Sequence, residues 1–207
     1  MDRTMRQLRM IPQKFETRED GDARIIEGYF AVFDSVYQIA PGLSESIGRS
    51  AFDKTITGDI RALINHDTTL VVGRTTANTL TLSIEARGLW GQIRINPNDQ
   101  DAMNAWARVQ RGDVDGCSMG FEIISENTEV REDGSIHWTI EELKLYEVSI
   151  CTFPAYEETN IQARTKEAAE ITAKREQEQL TAWKTRMLKR LKGEDHGTEG
   201  TDAPEED

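Results

Sequence analysis

Period-two alternation of apolar and polar residues, repeated in short segments over most of the first 155 positions, limits the fold of this chain more than any other feature. Leu80, Leu82 and Ile84 alternate with Thr81, Ser83 and Glu85, and after Ala86-Arg87-Gly88 come Leu89, Gly91, Ile93 and Ile95, alternating again. Met119, Phe121 and Ile123 alternate with Gly120, Glu122 and Ile124, and Ile136, Trp138 and Ile140 follow the turn signal Asp133-Gly134. A helix cannot gather such a set on one side, whereas a strand sends successive side chains to opposite faces. Residues 14–18 and 25–33 read as two more strands around Glu19-Asp20-Gly21-Asp22. Residues 60–64 are a short apolar run that suits a buried strand, residues 70–76 continue as strand with Gly73 as a bulge, and residues 143–153 form another, closed by Pro154-Ala155. His137 falls on the face opposite Trp138 and reads as a solvent-facing strand residue. Many strands, few helices and no regular β-α alternation predict a mainly β fold with flanking helices, closed or nearly closed into a barrel.

Helical signals are few. Residues 49–56 read as a short helix capped by Ser50, with Phe52 and Ile56 four apart. Pro97-Asn98-Asp99 starts a second, in which Ala102, Met103, Trp106, Val109 and Gln110 share a face and Gly112 ends the run. From about Glu157 the composition changes. Residues 162–192 lack Gly and Pro, and Leu180, Trp183, Met187, Leu188 and Leu191 make an apolar stripe, either a partner-binding face or one that folds back on the β domain. The expected division is a β domain over 1–156, a charged amphipathic helical segment over 157–193, and a disordered acidic tail over 194–207. That tail carries seven acids and no Lys or Arg, which leaves −5 of the formal net charge of −12 on the rest.

So acidic a chain speaks against nucleic acid as a partner, and no apolar run is long enough to span a bilayer. The basic N-terminus lacks the apolar core of a secretion signal, which predicts a cytoplasmic protein. Two cysteines, Cys117 and Cys151, are too few for a disulfide framework or a cysteine zinc site, and His66, His137 and His196 show no metal-ligand spacing. No cofactor and no metal are expected.

One window carries chemical interest. In Asp113-Val114-Asp115-Gly116-Cys117-Ser118-Met119-Gly120-Phe121, small and polar residues stand where a helix hands over to a strand, and two glycines bracket Ser118. Glycine permits close approach by another chain, which suits a serine that must meet a peptide and equally suits an ordinary tight turn. Serine hydrolysis also needs a base and a group that orients it. His66 ends one strand, and Glu147 sits in Leu145-Tyr146-Glu147-Val148-Ser149, where a carboxylate among apolar strand residues either points outward or has a buried partner. No local spacing binds His66, Ser118 and Glu147 into one constellation.

Five blocks taken together extend the reading. Glu27-Gly28-Tyr29-Phe30-Ala31-Val32-Phe33, Ala51-Phe52, Asn65-His66-Asp67, Gly116-Cys117-Ser118-Met119-Gly120-Phe121 and Leu145-Tyr146-Glu147-Val148-Ser149-Ile150-Cys151-Thr152-Phe153-Pro154-Ala155 occur in this order. The chain thereby resembles the prohead maturation proteases of tailed bacteriophages, with Val71-Val72-Gly73 standing where Pro-Ile-Gly is frequent. The resemblance implies a serine peptidase with a β-barrel surrounded by helices, related in fold to herpesvirus assemblins. Such enzymes act inside the assembling prohead in the host cytoplasm, on scaffold or the scaffolding segment of the major capsid protein, and often on themselves. It implies His66 as general base and Ser118 as nucleophile, and Glu147, rather than Asp67 or Asp115, as the residue that orients the histidine. Cys117 is read as packing, and backbone N–H groups would stabilise the oxyanion. The implied partners are major capsid protein and scaffold, with self-association open and neither nucleic acid nor membrane involved. The competing reading is a non-catalytic capsid assembly or scaffolding protein. A small-molecule esterase is disfavoured, since no Gly-x-Ser-x-Gly elbow precedes a helix.

Overall fold

The alternating segments pair into two sheets in the computed structural model, which describes residues 7–11, 15–21, 23–152 and 158–192. In chain order the strands are β1 (Gln7–Ile11), β2 (Glu16–Asp20), β3 (Ala23–Val32), β4 (Tyr37–Ala40), β5 (Leu43–Ile47), β6 (Arg61–Ile64), β7 (Asp67–Arg74), β8 (Leu80–Ile84), β9 (Gly88–Ile95), β10 (Gly116–Val130) and β11 (Ile136–Cys151). The helices are α1 (Gln100–Arg111) and α2 (Glu158–Leu191). One sheet runs β1-β10-β11-β5-β4, with β6 joined to β11 and β7 to β6; the other runs β2-β3-β9-β8. The chain divides into two compact units, Met1–Lys166 and Glu167–Asp207. Both sheets belong to the first. Residues 194–207, expected to form an acidic disordered tail, lie outside the described residues.

The long hairpin of β10 and β11 is the frame of the larger sheet. Its strands pair antiparallel from Gly116↔Cys151 to Val130↔Ile136, with register shifts after Gly120 and around Ser125. Along its other edge β11 pairs in parallel with β5 over 136–140 and with β6 over 147–150. The expected closed barrel is not what the described strands form: they make a seven-stranded and a four-stranded sheet. The strands that sequence analysis placed at 136–140 and 143–153 are one sixteen-residue strand as far as Cys151, because the apolar alternation continues through Leu143 and Leu145. Cys117, Met119, Phe121, Val148 and Ile150 join Ile26, Phe30, Leu89 and Ile93 of the smaller sheet in one buried cluster.

Helix α1 forms as its signals indicate. Asp99 accepts hydrogen bonds from the N–H groups of Asp101 and Ala102 at 3.0 and 3.2 Å, and Gly112 takes the left-handed conformation (φ 85°) that closes the helix. Ala102, Ala105, Trp106 and Val109 are its buried residues. Residues 49–56, by contrast, are overlapping turns. Ala51, Asp53 and Thr55 donate to carbonyls three residues back, and only Ile56 reaches four back, to Phe52. Ser50, expected as a cap, donates instead to the Glu141 carbonyl at 3.2 Å.

His137 is also placed differently from the expectation of a solvent-facing residue. It is 8% exposed and sits between Ser44 Oγ (2.8 Å from Nδ1) and Ser46 Oγ (2.9 Å from Nε2) of the parallel neighbour β5, whose two serines flank it on the same face. Burial, with Arg131 adding to it, holds this imidazole below its ordinary value against the opposing pull of Glu129 and Glu45. The folded state therefore binds its proton less readily than the unfolded chain does. The stability that His137 contributes is full above the unfolded value, about 6.5, and declines as pH falls through it. Comparing urea midpoints of wild type and His137→Gln should show a steeper loss between about pH 6.5 and 5 in wild type. Parallel pH dependences would contradict this.

Candidate active site

The site begins at a two-residue turn. Strand β6 ends at Ile64, β7 starts at its ladder partner Asp67, and the residues between, Asn65 (φ 50°) and His66 (φ 61°), are both left-handed. Two consecutive residues of this kind are what a tight hairpin of matched twist requires, and Asn accepts the conformation more readily than most residues. The turn is tied to the end of β11. Asn65 N–H donates to the Ile150 carbonyl at 2.9 Å, Thr152 N–H donates to Asn65 Oδ1 at 2.9 Å, and His66 N–H donates to Ser149 Oγ at 3.3 Å. These contacts hold a histidine in a conformation that it seldom takes.

The β10–β11 ladder supplies the rest. Gly116 faces Cys151, Ser118 faces Ser149, and Gly120 faces Glu147. Directly paired residues of an antiparallel ladder project to the same side, so Ser118, Ser149, Glu147 and Cys151 share a face. The intervening Cys117, Met119, Val148 and Ile150 face the apolar core. Polar groups thus line a buried surface: Ser118 and Ser149 are fully buried, and Glu147 and Cys151 are each 2% exposed.

His66 Nδ1 lies 2.7 Å from Glu147 Oε1, with the two side chains 12% and 3% exposed. Ser149 Oγ donates to the other carboxylate oxygen at 2.6 Å. An ionised carboxylate can only accept, so Nδ1 donates to it, and in the neutral form of the ring Nε2 carries the lone pair. Nε2 is 3.7 Å from Cys151 Sγ. Burial, and secondarily the Glu147 charge, push the Cys151 thiol up to about 12, so it remains a protonated thiol at neutral pH.

Of the residues singled out by sequence, the structure joins His66 to Glu147 and sets Ser118 on the same face one strand away. Asp67 turns to its own hairpin, its Oδ1 accepting from Thr69 N–H at 2.8 Å and Thr69 Oγ1 at 2.6 Å; these bonds hold its carboxyl below the usual range. Asp115 is exposed. Cys117, in the core, donates to the Tyr29 carbonyl at 3.1 Å. Sequence reasoning did not place Ser149 or Cys151 at the site, although the spacing Glu147-x-Ser149-x-Cys151 on a strand would have put all three on one face. Among the described residues, no group of three or more His, Cys, Asp or Glu is placed to hold a metal ion.

A model of the caudovirus prohead serine protease family matches residues 13–174. The chain belongs to that family. As a member it is similar to the prohead protease of Enterobacteria phage HK97, with 31% identity over 152 residues, 70% of this chain and 61% of that protein. The match therefore spans less than two thirds of the relative's length. Among solved structures it is similar to the capsid assembly protease of bacteriophage T4, over 72% of this chain and 98% of that one, with a TM-score of 0.48 and 12% identity.

Proposed function

We propose that this chain is a serine endopeptidase of prohead maturation, with Ser118 as nucleophile, His66 as general base and Glu147 as the group that orients the base. Its substrates in this reading are scaffold, or the scaffolding segment of the major capsid protein, and the enzyme itself, inside the assembling prohead in the host cytoplasm. The observation that carries the reading is the 2.7 Å contact of the buried Glu147 with His66 Nδ1, which leaves Nε2 as the basic nitrogen. Two serines face each other across β10 and β11. Ser149 gives its one proton to Glu147, whereas Ser118 lies in the Gly-bracketed stretch of β10. Cys151 is the thiol nearest the base, and as a buried protonated group it is a poor nucleophile.

In the proposed reaction Ser118 Oγ attacks the scissile carbonyl carbon as its proton passes to His66 Nε2. The tetrahedral intermediate collapses, the C–N bond breaks and the amine leaves with that proton; water then repeats the sequence on the acyl-enzyme. Glu147 stabilises the charged imidazole while it exists. Helix α2, whose Leu180, Trp183, Leu188 and Leu191 are exposed, would hold the enzyme to scaffold.

Intact masses of wild type and Ser118→Ala, each assembled with its own capsid and scaffold proteins, test the reading. Wild type should trim itself or its partners while Ser118→Ala trims neither. Absence of cleavage by either protein inside assembled proheads would replace the peptidase by a non-catalytic assembly protein.

A further inference from the structure

Ser149 lies in a closed ring of hydrogen bonds. It accepts from the His66 backbone N–H at 3.3 Å and donates to Glu147 Oε2 at 2.6 Å, while Glu147 Oε1 meets the ring of the same histidine at 2.7 Å. One residue, His66, is therefore gripped at its backbone and its side chain through a single serine and a single carboxylate. We infer that Ser149 is a positioning residue of the catalytic site, which fixes Glu147 and the base against each other; this rests on the peptidase reading above.

Three physical features support the role. Glu147 is buried, so its second oxygen needs a donor from the protein, and the Ser149 hydroxyl supplies it from two residues along the same strand face. That bond restrains the carboxylate about its terminal torsion, whose wells are broad. His66 stands in a left-handed turn whose ring direction depends on how its peptide is held, and Ser149 bonds that N–H. Finally, Ser149 is the direct ladder partner of Ser118, so a shift of β11 at this position is felt at the proposed nucleophile. A hydroxyl has one proton, and Ser149 directs it to the carboxylate that orients the histidine rather than to Nε2 of the base, which fits positioning.

The test uses the full chain and the variants Ser149→Ala, Ser149→Cys and Ser149→Thr. Cysteine nearly conserves volume but donates weakly, so it keeps the test open if Ser149→Ala does not fold; threonine restores the hydroxyl. The first readout is the far-downfield proton resonance of the His66 Nδ1–H bonded to Glu147, observed in the resting protein. It should be present in wild type and Ser149→Thr, and lost or broadened in Ser149→Ala and Ser149→Cys. The second is steady-state cleavage of a peptide made from a mapped cleavage site. There kcat should fall on the order of 10²-fold in Ser149→Ala with KM unchanged, and recover in Ser149→Thr. An unchanged resonance in both Ser149→Ala and Ser149→Cys would overturn the inference, as would an effect confined to KM. The resonance does not depend on turnover. A chain that shows it in the expected pattern yet cleaves nothing would sink the peptidase reading and leave the positioning of His66 by Ser149 intact.

Discussion

Replacing Glu147 by Gln is expected to lower kcat on the order of 10⁴-fold, with little change in the melting temperature. The carboxylate now accepts from two donors at once, the His66 ring N–H at 2.7 Å and the Ser149 hydroxyl at 2.6 Å. An amide offers one accepting oxygen and one donating nitrogen. If its oxygen faces Ser149, its NH₂ meets the imidazole and forces the opposite tautomer, with the proton on Nε2, where it cannot take one from Ser118. If its oxygen faces the ring, the NH₂ must accept nothing from Ser149, whose hydroxyl then turns away. Shape and volume are nearly conserved, so the loss should appear in turnover rather than in folding. Loss of activity in proportion to loss of folded protein would contradict a role in the chemistry.

The largest expected effect on stability lies at Arg164 of α2, a residue of the first compact unit. Its guanidinium is fully buried, makes two bonds to Glu126 (3.0 and 2.7 Å), a third to Glu45 (2.9 Å), and stacks on Trp138 with its carbon 4.6 Å from the ring centroid. Burial alone would weaken the charge. The Glu126 hydrogen bonds and the attraction of Glu45 outweigh that, and raise its affinity for the proton far above the usual arginine range. Arg164→Ala leaves two buried carboxylates facing each other without a cation, which should cost about 3–5 kcal/mol in urea unfolding. Replacing the set together, Arg164→Met with Glu45→Gln and Glu126→Gln, should recover most of it, since the cost arises from unpaired charge rather than from a lost attraction. A loss below about 1 kcal/mol in Arg164→Ala would mean that water reaches the pair as it reaches surface ion pairs. The same contacts bear on truncation. Removing the chain from Glu157 would delete Arg164 and destabilise the β domain, so a cut after Lys166 is the truncation that tests whether the helix holds the enzyme to scaffold without unfolding it.

The legible parts of this protein were those that depend on local pattern. Alternation located β3, β8, β9 and β10, and the cap Asp99 with the closing Gly112 bounded α1 to within a few residues. Closure into a barrel was not legible, because whether β11 continues round the same sheet or shares its edge between β5 and β6 depends on pairing between residues about 90 apart in sequence. His137 was misplaced for the same reason: its alternation is correct, but Ser44 and Ser46 of the distant strand β5 flank it and bond both ring nitrogens, which no local window reveals. At the site, His66, Ser118 and Glu147 came from resemblance to a family rather than from spacing. The ring through Ser149 and the thiol beside Nε2 became visible only once Gly120↔Glu147 and Ser118↔Ser149 fixed the register.

The central claim is that Ser118 is a nucleophile activated by His66 and Glu147. Its most direct measurement is labelling with a serine-directed phosphonate, in wild type, His66→Ala and Ser149→Ala, followed by peptide mapping by mass. The account requires a single adduct on the peptide that carries Ser118, formed in wild type and abolished in His66→Ala. An adduct on Ser149 or Cys151, or labelling of Ser118 that is indifferent to His66, would contradict it.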